Sequence, residues 1–144
     1  LRAEQVEPFT GAFQAQAAAR LTASDLRPRL RVDDEVTLDA LNVAALRPVF
    51  SLAPFGPGNP RPLLVTGPVE LADRPRVVGT NGAHLQLTVR EGRTFRKAIA
   101  FNMGRQAEAI GDHPRLRQAF EPILSAWNGS ERIELKVKDW KPAD

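Results

Sequence analysis

The chain has 144 residues, 42% of them hydrophobic and 26% charged, with a formal net charge of +3; this is enough apolar content to bury a core in one domain or two small ones and excludes a disordered tail. It contains no cysteine, which excludes a disulfide framework, a thiolate metal site and a thiol nucleophile, and is compatible with a reducing, cytoplasmic setting. No apolar run approaches the roughly 20 residues that span a bilayer and no secretory signal opens the chain, so no membrane partner is expected.

The sequence starts at Leu1 instead of methionine, which reads as a piece of a longer protein. From Glu4 to Leu21, Val6, Phe9, Phe13, Ala17 and Leu21 recur at steps of three and four, the pattern of an amphipathic helix. In "RPRLRVDDEVTL" Leu30 and Val32 alternate with Arg29, Arg31 and Asp33, which predicts a short strand with a charged solvent face. Asn42 then caps a second helix carrying Val43, Leu46, Val49 and Phe50, with Pro48 expected to bend it or end it early. These pieces are too few for a full domain and read as the tail of an upstream one.

Beyond Pro62 the pattern changes to period-two alternation, in five runs: "LLVTGPVEL", "AHLQLTVR", "TFRKAIAF", "RQAFEPILSAW" and "ERIELKVKDW". Between the third and fourth, Met103, Ala107 and Ile110 suggest a short helix closed by Gly111. Five strands with a helix after the third is the order of an OB-fold barrel, giving a mainly β fold behind a small α/β remnant. Asn-Gly pairs in "TNGA" and "WNGS" predict that strands one and two, and four and five, are neighbours. The charge is divided unevenly. Residues 1 to 62 carry 7 basic and 7 acidic side chains, residues 63 to 144 carry 13 and 10, a bias that fits either a polyanion partner or an ordinary basic surface.

The two regions meet in "LAPFGPGNPRP", residues 52–62, where four prolines fix φ and two glycines permit tight turns. A stiff joint is expected, with Phe55 as a peg between the helical piece and the barrel. This stretch resembles the "L-x-P-F-G-x-G-N-P-x-P" joint of the RecJ family of single-stranded-DNA exonucleases. "GAHLQLTVREG", "AIAF" and "AWNGSERIELKVKD" look like that family's OB strands in order, and "EPFTGAFQAQAAARLTASDLRPRLRVDDEVTLDAL" like the end of its second core domain. The resemblance implies a remnant of that second domain over residues 1–51, a rigid joint over 52–62 containing Phe55, Gly56, Gly58, Asn59 and Pro60, and an OB domain over 63–144. It implies further a protein of DNA repair and recombination that hydrolyses single strands from 5′ to 3′ using manganese or magnesium. The metals are held upstream by an Asp-His-His motif and the substrate phosphate by a Gly-Gly-His motif. Neither motif occurs here, and His84 and His113 stand alone, so no catalytic residue and no metal site are expected in this chain. The partners implied are single-stranded DNA, the remaining core domains and a single-strand-binding protein.

Single strands are gripped by cationic grooves and by aromatic faces, and OB barrels present these on one sheet face and on the loops joining strands one to two and four to five. Arg74 and Arg76 in the first loop, and Trp127, Asn128 and Arg132 at the second, are the candidates, with the two loops expected to flank one cleft. Trp127 also reads as packing over the barrel end, and Trp140 as an anchoring hydrophobe. On strand two Leu85, Leu87 and Val89 should point inward, leaving His84, Gln86, Thr88 and Arg90 outside. On strand three Ile99 and Phe101 are expected inside and Arg96 outside, with Arg93 in the turn before it; His84, Gln86, Arg93 and Arg96 complete the candidate set. On strand five Ile133, Leu135 and Val137 point inward, and Arg132, Glu134, Lys136 and Lys138 form a mixed outer face whose acidic member weakens it as a phosphate track. The competing readings are a structural brace or protein-interaction module and a small independent enzyme. Asp33, Asp34 and Glu35 make a poor carboxylate pair for the latter, because strand neighbours face opposite ways.

Overall fold

The computed structural model describes residues 2–143, the side chain of Trp127 excepted. Residues up to Arg31 form one compact unit and those from Val32 onward a second.

In the first unit a single 3-10 turn leads into α1 (Val6–Arg20). Its apolar stripe is open to solvent, with Val6, Phe9 and Phe13 exposed by 52%, 54% and 63% and the two phenylalanine rings stacked at 6.0 Å. After the helix Asp25 closes a turn: the Thr22 hydroxyl and backbone N–H donate to its carboxylate at 2.6 and 2.8 Å. Those two bonds, the hydroxyl's first, hold the Asp25 carboxyl below its ordinary pKa.

The expected strand at Leu30 and Val32 does not form; the extended pairing begins later, at β1 (Asp34–Val36). Its position is set from a distance. Asp33 donates its N–H to the Leu63 carbonyl and accepts the Leu63 N–H on its carboxylate, both at 2.8 Å, and β1 then runs parallel to β2 (Leu64–Thr66). α2 (Val43–Phe50) follows, with Asn42 Oδ1 accepting the Ala45 N–H at 2.9 Å as the expected N-cap. Leu38, Leu41 and Leu46 are buried in the same core cluster as the later strands, and Glu91 accepts the Leu38 N–H at 2.5 Å. Residues 32–51 are therefore part of the second compact unit, and the division by packing falls at Arg31, upstream of the proline-rich stretch.

That stretch closes on itself. Gly56 and Asn59 exchange backbone hydrogen bonds at 2.9 and 3.0 Å around Pro57 and Gly58, whose φ of 83° suits a type II turn. The Asn59 side chain donates to the carbonyls of Leu52 and Pro54 at 2.9 and 3.0 Å. Phe55 is half-buried under the Arg61 guanidinium, 4.9 Å from its ring centre, and lines a small cleft with Val49, Phe50 and Pro122.

The remaining strands are β3 (Val69–Leu71), β4 (Arg76–Val78), β5 (His84–Glu91), β6 (Thr94–Ala100), β7 (Arg115–Trp127) and β8 (Ser130–Pro142), with α3 (Ala107–Gly111) between β6 and β7. β2 and β3 are the halves of the first expected strand, parted at Gly67–Pro68, where proline has no N–H for the ladder. β3, β5, β6, β8 and β7 pair in succession, and β7 returns to β3, closing a ring. One pairing in that ring, β6 with β8, is parallel. Both Asn-Gly turns connect neighbours. Asn128 and Gly129, with φ of 48° and 76°, join β7 to β8, while the other joins β5 to the short extra strand β4.

Inside the ring Leu85, Leu87, Val89, Ile133, Leu135 and Val137 are buried as expected. β6 is the exception. Ala98 and Ala100 point inward, Phe101 is 45% exposed and Ile99 only partly buried. Leu87 and Leu85 stand opposite these alanines on one side, Leu135 and Val137 on the other, so the large neighbours fill the space that isoleucine and phenylalanine would need. A bulge at Lys138, between the Phe120 and Ala119 pairings, reverses the facing of the last part of β8. Trp140 thereby packs against the core, donating from Nε1 to Gln106 Oε1 at 2.5 Å.

Two close fits generate predictions. A Cβ on Gly104 would lie 1.8 Å from the Gly82 carbonyl oxygen, so backbone must move, and Gly104→Ala should lower unfolding free energy by about 3 kcal/mol in urea titration. Gln118 is fully buried with both amide atoms unpartnered among the described residues. Gln118→Leu keeps the volume and removes that desolvation cost, and should raise stability by about 1–3 kcal/mol in the same titration.

Candidate nucleic-acid interface

The parity of β6 decides what the outer sheet face carries. Cross-strand partners share a face, so register aligns one row across four strands: Arg76 opposite Gln86, Gln86 opposite Ile99, and Ile99 opposite Lys136. The neighbouring row runs from Val78 through His84 to Phe101, whose ring meets the His84 ring edge-on at 5.0 Å and 68°. Asn102, with φ of 60°, turns the chain there and donates its N–H to His84 Nδ1 at 3.1 Å. The Lys136 ammonium sits 5.9 Å from the Phe101 ring centre. An exposed aromatic, a fixed imidazole and two cations thus share one patch.

Towards the other end of the face, Thr88 pairs with Lys97 and Arg90 with Phe95. Phe95 is 52% exposed and, with Lys97, Arg132 and Glu134, borders a cleft of about 460 Å³ reaching Asn42 at the start of α2. The acids on and beside the face are engaged: Glu134 pairs with Arg132 at 3.3 Å, and Glu121 with Lys138 at 2.8 Å and Lys136 at 3.5 Å. Glu70 pairs with Arg90. Arg76 and Lys97 have no ion-pair partner among the described residues.

The nine residues singled out from the sequence divide accordingly. Arg76, His84 and Gln86 come together with Phe101 and Lys136. Arg74 is exposed in the loop before β4, Arg93 in the turn between β5 and β6, and Asn128 in the turn between β7 and β8. Arg132 lies on β8 at the cleft. The Trp127 side chain lies outside the described residues. Arg96 corrects the expected facing: it shares the parity of Ala98 and Ala100, and it borders the same cleft with its guanidinium turned to backbone carbonyls. Its Nε and Nη2 donate to the Leu41 carbonyl at 3.1 and 2.7 Å, and Nη1 to the Phe95 carbonyl at 2.8 Å. Phe95, Lys97 and Phe101 were missed, and Lys136, placed on the outer face of strand five by its alternation, was not singled out. The available signal was volume: "KAIAF" offers apolar residues at both parities, and only the large residues of the strands on either side select the alanines.

No group of three or more histidine, cysteine, aspartate or glutamate residues among those described is arranged to hold a metal. The outer face carries a row of donors, cations and aromatic surface.

A five-membered strand ring closed by one parallel pair, with a short helix between its third and fourth strands and ligand-type side chains on the outer sheet face, defines an OB-fold protein. More particularly, the chain belongs to the RecJ OB domain family, which matches residues 32–139. It is 28% identical over 139 residues to the single-stranded-DNA-specific exonuclease RecJ of Bacillus subtilis, covering 96% of this chain and 18% of that protein. To the Haemophilus influenzae protein of the same name it is 24% identical over 146 residues, covering 100% of this chain and 25% of that one. The chain therefore spans a quarter or less of these relatives. The crystal structure of Thermus thermophilus RecJ in complex with Mg2+ superposes with a TM-score of 0.69 at 22% identity, covering all of this chain and 21% of that one. The corresponding Mn2+ complex gives 0.59 at 24% identity, covering 96% of this chain and 20% of that one. These likenesses show a shared fold.

The placement of Arg96 yields a prediction. Arg96→Met removes three charge-assisted bonds to carbonyls and should cost about 2–3 kcal/mol in chemical denaturation, with oligonucleotide affinity at low salt unchanged below the melting transition.

Proposed function

We propose that this chain is the strand-gripping OB module of a single-stranded-DNA 5′ to 3′ exonuclease of DNA repair and recombination, and is itself non-catalytic. The observation that carries this reading is the outer row Arg76, Gln86, Ile99 and Lys136 beside exposed Phe101. Cations meet phosphates while apolar and aromatic surface meets unpaired bases, and a face with both favours single strands. The names of the relatives point to the same substrate. Phosphodiester hydrolysis, with the Mg2+ or Mn2+ of the Thermus structures, is assigned to parts of such an enzyme outside this segment, since the described residues offer no ligand set. Retention of the strand is the role left for the segment itself.

Residues up to Arg31 are read as the end of the second core domain; residues 32–51, expected with them from the sequence, pack with the OB strands instead, and 52–62, with Phe55, Gly56, Gly58, Asn59 and Pro60, is read as the joint, closed by the Gly56–Asn59 turn. A second reading, a brace or protein-docking element, draws support from the open stripe of α1, where Val6, Phe9 and Phe13 are each more than half exposed. The remaining core domains are the partner that reading supplies, and a single-strand-binding protein is a further one.

Fluorescence anisotropy of a labelled single-stranded oligodeoxynucleotide tests the grip. Affinity should fall steeply with salt, and the Arg74→Ala/Arg76→Ala double variant should bind more weakly, with its log–log salt slope reduced by about 1.4, or roughly 0.7 for each single-strand phosphate released. An unaltered slope would move the phosphate track away from this face.

A further inference from the structure

We propose that Phe95 and Phe101 are paired base-stacking platforms at the two ends of one track along the outer edge of β6, an inference that rests on the strand-gripping reading above. The outward residues of β6 and its end are Phe95, Lys97, Ile99 and Phe101, two aromatic rings bracketing a cation and an aliphatic side chain. Phe101 lies six positions beyond Phe95, a span of about 20 Å at roughly 3.3 Å per strand residue.

Burial alone does not account for this arrangement. Packing accounts for the alanines inside but not for large apolar side chains outside: Phe95 on β6 and Phe101 just after it face water, at 52% and 45% exposure, at positions where polar side chains would leave the core untouched. Each ring has a setting suited to a flat ligand. Phe101 is fixed from the side by the His84 ring, whose orientation is held in turn by the Asn102 N–H, so little freedom is lost when a base settles on it. Phe95 borders the cleft of about 460 Å³, a volume within the range of pockets that hold small ligands. Arg76 and Lys97, neither with an ion-pair partner among the described residues, lie on the same face between and beside the rings, where the phosphates of a strand stacked at both ends would pass.

The occupant is a strand with unpaired bases. Duplex bases already stack on one another, and every base offers a π face, so binding should be tolerant of sequence. Arginine-to-phosphate contact releases counterions, whereas ring-to-base contact does not, which separates the two contributions in one experiment.

The experiment compares the whole chain with Phe95→Leu, Phe101→Leu and the corresponding tryptophan variants by anisotropy. The probes are a labelled single-stranded oligodeoxynucleotide of twelve thymidines and its fully abasic counterpart. Both rings are exposed, and thermal melts of each variant verify the fold. Each leucine variant should bind the thymidine strand about 5- to 100-fold more weakly with an unchanged salt slope. The tryptophan variants should match or exceed the parent chain, and the abasic strand should bind parent and leucine variants alike. If the leucine variants keep full affinity while the Arg74/Arg76 double variant loses it, the stacking proposal is overturned and the grip stands. If the parent chain binds no strand at low salt, both fall.

Discussion

Closure of the ring depends on the parallel pairing of β6 with β8, and that pairing depends on two alanines. Ala98 and Ala100 lie between Leu87 and Leu85 on one side and Leu135 and Val137 on the other. Larger residues at either alanine would force the flanking side chains apart, because a core at crystal-like density has no room to give. Since side chains alternate along a strand, seating the alanines inward commits Ile99 and Phe101 to the outside. One steric constraint thus places the apolar half of the candidate interface, and the cations reach it through β4 and β8, whose register is locked to β5 and β6.

The rest of the second unit supports that ring from outside it. Residues 32–51 cover one part of the core with Leu38, Leu41 and Leu46, tied down by Glu91 on the Leu38 N–H and by Arg96 on the Leu41 carbonyl. The turn at Gly56–Asn59 and the Asn59 side chain give the chain between α2 and β2 a fixed path with few contacts to the core. Most ion pairs are surface pairs, each contributing little to stability. Their greater effect is on the interface, where engaged glutamates leave a net cationic face.

Features governed by short-range rules were legible in the sequence: the Asn42 cap, the Asn128–Gly129 turn, the alternation of β5 and β8, and the helix between β6 and β7. What was not legible depends on partners distant in the chain. β1 is placed by the bonds between Asp33 and Leu63, so the alternation at Leu30 and Val32 misplaced it. The facing of β6 is set by residues on β5 and β8, and hydropathy alone preferred Ile99 and Phe101 for the core. Arg96 followed that error, since its parity is that of the alanines. The bulge at Lys138 leaves no mark in composition, yet it is what lets Trp140 take the anchoring place its hydrophobicity suggested.

Because β6 carries its packing load on alanines and its ligand-type groups on the opposite face, the two are under separate selection. Ala98 and Ala100 are hemmed in by large neighbours on both sides, whereas Phe95, Lys97 and Phe101 are exposed and Ile99 is half-buried. A substitution on the outer side of β6 can therefore change what the sheet presents without disturbing the packing of the alanines. The same separation makes the strand a ready framework for an engineered binder, with four variable positions displayed on one fixed strand.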